Sequence, residues 1–139
     1  MKVLTLVLLV LSGVEGGLAE LLPAEQVQFV AVDIYADSDG KGLAAWQIEL
    51  ECDPARAKIV GVEGGEKPPY YDPAALQGGR IILASFTTEA RPPTGRVLVA
   101  RVHLQETGKT DYAVKVMAAA ATGGERIEPK IDLVRQGGK

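Results

Sequence analysis

The chain has 139 residues, 47% of them hydrophobic and 24% charged, and a net charge of −3. Scattered charges of that sign exclude the basic stripe or patch that nucleic-acid binding requires. A single cysteine, Cys52, excludes an internal disulfide, and a single histidine leaves too few nitrogen and sulfur ligands for an ordinary zinc site.

The first residues have the layout of a secretory signal peptide. Lys2 supplies the positive start, residues 3–11 are apolar apart from Thr5, and Ser12, Gly13, Gly16, Gly17 and Ala19 form a small-residue exit. The expected cut follows Ala19, which leaves residues 20–139 as one exported domain resting on its hydrophobic core. The apolar run is shorter than the ~20 residues that span a bilayer, so a membrane becomes a partner only if the segment is retained.

After a polar lead-in around Pro23, residues 27–36 carry Val27, Phe29, Val30, Val32, Ile34 and Tyr35, a strand composition. Asp37, Ser38, Asp39, Gly40, Lys41 and Gly42 read as a hairpin turn. Trp46, Ile48, Leu50 and Cys52 then alternate with Gln47, Glu49 and Glu51, which predicts a half-buried strand with its charged side outward. Asp53 and Pro54 end it. A short strand over residues 58–63 precedes a loop over residues 64–79 that holds Pro68, Pro69, Tyr70, Tyr71, Asp72 and Pro73. Residues 80–86 return to strand. Residues 97–105 alternate, with Leu98, Ala100, Val102 and Leu104 on one face and Val97, Val99, Arg101 and His103 on the other. Residues 112–121 suit a strand, although Met117 and the alanine run would also suit a helix. Ile127, Ile131, Leu133 and Val134 form a last pairing before a polar tail from Arg135. Short strands between regular turns predict an all-β sandwich or barrel.

No catalytic constellation emerges. His103 reads as a solvated strand residue, and neither Ser38 nor Ser85 sits in a nucleophile elbow. Asp37 and Asp39 offer oxygen ligands for calcium but lack the continuing ligand series of an EF-hand, and turn chemistry explains them. Glu49 and Glu51 share a strand side with Cα atoms ~6.6 Å apart, a spacing compatible with a glycosidase pair. Nothing nearby would raise one pKa, so a solvated face explains them better. The chain is therefore expected to be no enzyme and to need no cofactor. Tyr70 and Tyr71, on a proline-stiffened loop, offer flat contact area for a sugar ring or a protein partner, or one ring plugs the sandwich end. The outward face of Gln47, Glu49 and Glu51 is a second, polar platform.

From Gly42 through Leu43, Ala44, Ala45, Trp46, Gln47, Ile48, Glu49, Leu50, Glu51 and Cys52 to Asp53 and Pro54, the chain resembles a cohesin domain. Residues 72–86, with Arg80, Ile81, Ile82 and Leu83 at their centre, resemble that family's middle strands, and residues 96–104 a later one. The resemblance implies a jelly-roll β-sandwich of about nine strands, related to carbohydrate-binding modules. It also implies a non-catalytic role in gripping a dockerin-like extracellular protein, with a polysaccharide as the other class of partner. Carried over residue by residue, the implied contact positions are Ala45, Gln47 and Glu49 on the recognition strand and Asp72 and Leu76 beside it, with Tyr70 and Tyr71 on the neighbouring loop. Ala45 and Gln47 stand where many cohesins place an Asn and an Asp, and Leu76 where a tyrosine is common. With no second module in the sequence, a secreted accessory or adaptor protein is expected.

Overall fold

A computed structural model describes residues 27–137, so the expected signal peptide over residues 1–19 lies outside the described part. The strands are β1 (Gln28–Asp37), β2 (Leu43–Glu51), β3 (Ala57–Gly64), β4 (Arg80–Phe86), β5 (Arg96–Glu106), β6 (Ala113–Ala121) and β7 (Lys130–Gln136), with one 3-10 turn at Pro73–Ala75. They build two sheets, a four-stranded one in the order β3-β5-β1-β7 and a three-stranded one in the order β4-β2-β6. Every pairing is antiparallel. The result is the expected β-sandwich.

The inner faces close on each other through alternate residues. Val30, Val32, Ile34 and Ala36 from β1 and Ile59 from β3 meet Ile48 and Leu50 from β2 and Ile81 and Leu83 from β4, all fully or nearly fully buried. Val102 and Leu104 of β5 and Ala119 and Ala121 of β6 complete the layer. Burying a side chain of the Val, Leu or Ile type contributes about 1.5–3 kcal/mol, so this layer is the main source of stability in a domain without a disulfide.

Four expectations need correction. Among the described residues there are seven strands, not about nine. Tyr70 makes only an isolated bridge to Ala84, because Pro68, Pro69 and Pro73 deny the segment ladder donors on both sides. The turn between β1 and β2 is not a hairpin but a crossing between sheets, since the two strands belong to different ones. In β5 the register shifts opposite Ile34 and Tyr35, leaving Val99 as the extra residue. That bulge inverts the alternation before it, so Val97 and Val99 turn toward the core with Ala100, while Leu98 turns out. Finally, Arg135 and Gln136 belong to β7 rather than to a tail, and the Ile127 amide donates to the Ala119 carbonyl on the outer edge of β6 at 3.0 Å.

Candidate functional site

The two outward faces differ in kind. On the four-stranded sheet, polar groups close on one another. Asp33 points outward from β1 yet is completely buried, because Arg101 on β5 covers it with a two-pronged hydrogen bond at 2.5 and 2.9 Å and Gln136 on β7 adds another at 2.5 Å. The Arg101 guanidinium holds the Asp33 carboxyl below its usual range, against the opposing effect of burial. Beside this cluster His103 meets Glu63 at 2.5 Å, and Arg96 pairs with Asp132 at 2.8 Å while lying over the Tyr35 ring. His103 is thus on the expected outward side, but held by a partner across the strands.

The face of β4-β2-β6 lacks such closure. The register sets it out in rows across the strands. Phe86, Ala45 and Ala120 form one row, and Ala84, Gln47 and Ala118 the next. Ile82, Glu49 and Lys115 follow, then Arg80, Glu51 and Ala113. Beyond the β4 edge Tyr70 extends the second row, fixed to Ala84 by backbone hydrogen bonds of 2.7 and 3.0 Å in the two directions. Its ring lies 6.1 Å from that of Phe86 and within 11° of parallel. Across the sheet, a register irregularity in β6 presents Met117, whose sulfur accepts from the Gln47 amide at 3.5 Å. Of the four large hydrophobic side chains most exposed among the described residues, Tyr70, Phe86 and Met117 belong to this face and only Phe29 to the other. An exposed apolar cluster rimmed by polar residues marks an interaction surface.

The positions named from sequence divide accordingly. Ala45, Gln47 and Glu49 lie on the outward face of β2, as expected. Glu49, however, is bound to Arg80 at 2.5 Å with its side chain only 15% exposed, so the platform is less open than the alternation implied. Tyr70 is exposed, whereas Tyr71 is partly buried and packs against the core, so the two rings differ in what they offer a partner. Asp72 caps the 3-10 turn by accepting from the Ala74 amide at 2.9 Å. Leu76 is half-buried against the core. Gln47, Tyr70, Tyr71, Asp72 and Arg80 line one shallow depression at the β4 side of the face. The Asp37 carboxylate accepts from the Asp39 amide at 2.8 Å, which is the turn chemistry weighed against calcium. Among the described residues no group of three or more His, Cys, Asp or Glu side chains is placed to hold a metal ion.

Sequence reasoning missed Phe86, Ile82, Ala84, Met117, Ala118 and Ala120. β4 is largely apolar on both sides, with Arg80 on one and Ser85 on the other, so its pattern says little about which side faces water. One signal was present: Arg80, Ile82, Ala84 and Phe86 share a period-2 set whose polar member marks that side as the outward one.

No family model matches the sequence, and no curated protein does either. Solved structures do resemble the fold. The sixth cohesin of Acetivibrio cellulolyticus scaffoldin B, solved in complex with a mutant Cel5 dockerin, matches with a TM-score of 0.62 at 9% identity, over 77% of this chain and 86% of that one. The seventh ScaB type I cohesin from Pseudobacteroides cellulosolvens matches with a TM-score of 0.58 at 13% identity, over 73% and 74%. A non-cellulosomal cohesin from the archaeon Archaeoglobus fulgidus matches with a TM-score of 0.54 at 11% identity, over 74% and 75%. The fold of this chain is a cohesin-like β-sandwich.

Proposed function

We propose that this chain is a secreted, non-catalytic binding module that docks a dockerin-like protein on the outward face of β4-β2-β6. The observation that carries the reading is the contrast between the two faces: one is largely covered by its own ion pairs and leaves Phe29 alone in water, the other leaves Tyr70, Phe86 and Met117 there together, with the Arg80–Glu49 pair to one side. Apolar area that folding leaves exposed on one side of a rigid sheet gains by burial against a partner. Cohesins of like fold solved with dockerins support a protein as that partner. The leader-like residues 1–19 support export.

The test is capture from the secreted proteins of the source organism, with and without calcium, on the immobilised chain and on a Phe86→Ser variant. Identification of a protein with paired Asp-rich loops, retained by the first and not by the second, is the expected result. Retention of the chain on insoluble polysaccharide, lost with the same substitution, would reassign the Tyr70–Phe86 pair to carbohydrate. Equal capture by both chains would move the site off this face.

A further inference from the structure

Sulfur occurs twice in residues 20–139, as Cys52 and Met117, and the fold treats the two in opposite ways. Cys52 is half-buried just past the end of β2, and its thiol is directed at the Ala57 carbonyl at 3.8 Å. Burial first, then the Asp53 and Glu106 carboxylates, push that thiol up in pKa and so withhold the thiolate, which is the form that reacts with a peroxide.

Met117 is the reverse case. It stands in water on β6, 36% exposed, on the face that also leaves Phe86 and Tyr70 in water. A thioether needs no deprotonation before it reacts, so its neighbours do not withhold it. The Gln47 side-chain amide donates to the sulfur at 3.5 Å, which engages one lone pair and leaves the other free.

We propose that Met117 is a site of oxidation by peroxides, and that its conversion to the sulfoxide releases the protein docked on β4-β2-β6. The release rests on the docking reading above; the oxidation does not. The free lone pair attacks one oxygen of hydrogen peroxide, the O–O bond breaks and an S–O bond forms. Two electrons pass from sulfur to the peroxide, and its second oxygen takes the proton of the first and leaves as water. The Gln47 amide is at hand for the new oxygen, a far stronger acceptor than the thioether. An apolar part of the face thereby becomes polar, and a partner seated on it must cover a sulfoxide dipole in place of a thioether.

The full chain is treated with hydrogen peroxide at pH 5, folded and in urea, and the added oxygen is located by peptide mass spectrometry. Trp46 fluorescence confirms that the treated chain stays folded. In the folded chain, oxygen is expected on Met117 about tenfold faster than on Cys52, and at a rate within about threefold of the rate in urea. The oxidised chain should leave a phenyl column earlier, return to its first position after methionine sulfoxide reductase treatment, and show no shift as Met117→Leu. The protein captured by the immobilised chain should be held about tenfold less tightly after oxidation, with no such loss on peroxide-treated Met117→Leu. Oxidation of Met117 only in urea, or more slowly than Cys52 in the folded chain, would overturn the oxidation site. Oxidised Met117 that leaves capture unchanged, where Phe86→Ser abolishes it, would overturn the release. Capture indifferent to Phe86→Ser would overturn the docking reading and the release together, while the oxidation rates decide the oxidation site on their own.

Discussion

Tyr112 and Glu106 give the sharpest test of how this domain is held together. Glu106, at the end of β5, is buried with 7% of its surface exposed. Arg135 grips it with a hydrogen bond at 2.6 Å and a longer one at 3.2 Å, and the Tyr112 hydroxyl donates a third. The Arg135 fork lowers the Glu106 pKa most, burial opposes it, and the Tyr112 hydroxyl lowers it again. Tyr112→Phe keeps the ring against the core and removes only the donor. A hydrogen bond to a charged group contributes about 1.5–3 kcal/mol, and the partial exposure of Tyr112 places the loss at the lower end. The effect depends on pH in a defined direction. A carboxyl with a depressed folded pKa adds stability above its unfolded value, about 4.3, and loses it as pH falls through the folded value. Wild type and variant should therefore differ by about 1.5–2 kcal/mol at pH 7, and by ~1 kcal/mol or less once Glu106 is protonated, when only a neutral hydrogen bond is at stake. Urea unfolding followed by Trp46, the chain's one tryptophan, measures both. A gap that does not shrink once acid has protonated Glu106, or is below ~0.5 kcal/mol at pH 7, would refute the assignment of Tyr112 as a partner of the ionised carboxylate.

Four further substitutions probe other parts of the same argument. Arg101→Met strands the buried Asp33 carboxylate, so the variant should be destabilised at pH 7 and regain stability relative to wild type as acid protonates Asp33; a pH-independent loss in thermal unfolding would contradict this. Leu104→Ala, at a fully buried core position, should cost about 2–5 kcal/mol in denaturant unfolding, whereas a loss under ~1 kcal/mol would mean the two sheets are not tightly packed there. Gly65→Ala should fail to fold or yield a much less stable protein, because a Cβ there would lie 1.6 Å from the Leu98 carbonyl oxygen, while Gly40→Ala, with open space around it, should unfold at nearly the wild-type temperature.

The sequence was most readable where one side of a strand is charged. In β2, glutamates at alternate positions fixed both the strand and its orientation, and the inward set Trp46, Ile48 and Leu50 does pack against or within the core. In β5 the same reasoning held from Ala100 onward, where Arg101 and His103 mark the outward side, and failed before it. Val97, Leu98 and Val99 are all apolar, so nothing in their chemistry reports the extra residue that Val99 inserts. For the Tyr70–Tyr71 pair the structure takes the second of the two alternatives that the sequence left open: adjacent residues on an extended backbone point to opposite sides, so Tyr70 stands in water and Tyr71 packs against the core. Strand number failed because pairing is a property of neighbours. Tyr70 has two good backbone hydrogen bonds, but the prolines around it stop the ladder from growing.

Those failures converge on the site itself. A β-sandwich has two outer faces, and each must be satisfied by its own side chains or by something else. On β3-β5-β1-β7 the satisfying groups come from different strands: Asp33 from β1, Arg101 and His103 from β5, Glu63 from β3, Gln136 from β7. Only the folded register brings them together, so a strand-by-strand reading cannot see that this face is closed. On β4-β2-β6 the same register assembles Phe86, Ala45 and Ala120 into one row and Ala84, Gln47 and Ala118 into the next. Each of these looks unremarkable on its own strand, and an alanine run reads as readily as helix as it does as strand. Ala45 and Gln47, where the family resemblance led one to seek an Asn and an Asp, sit within these two rows, so the hydrogen-bonding side chains on this part of the face are Gln47 and, beyond the β4 edge, Tyr70.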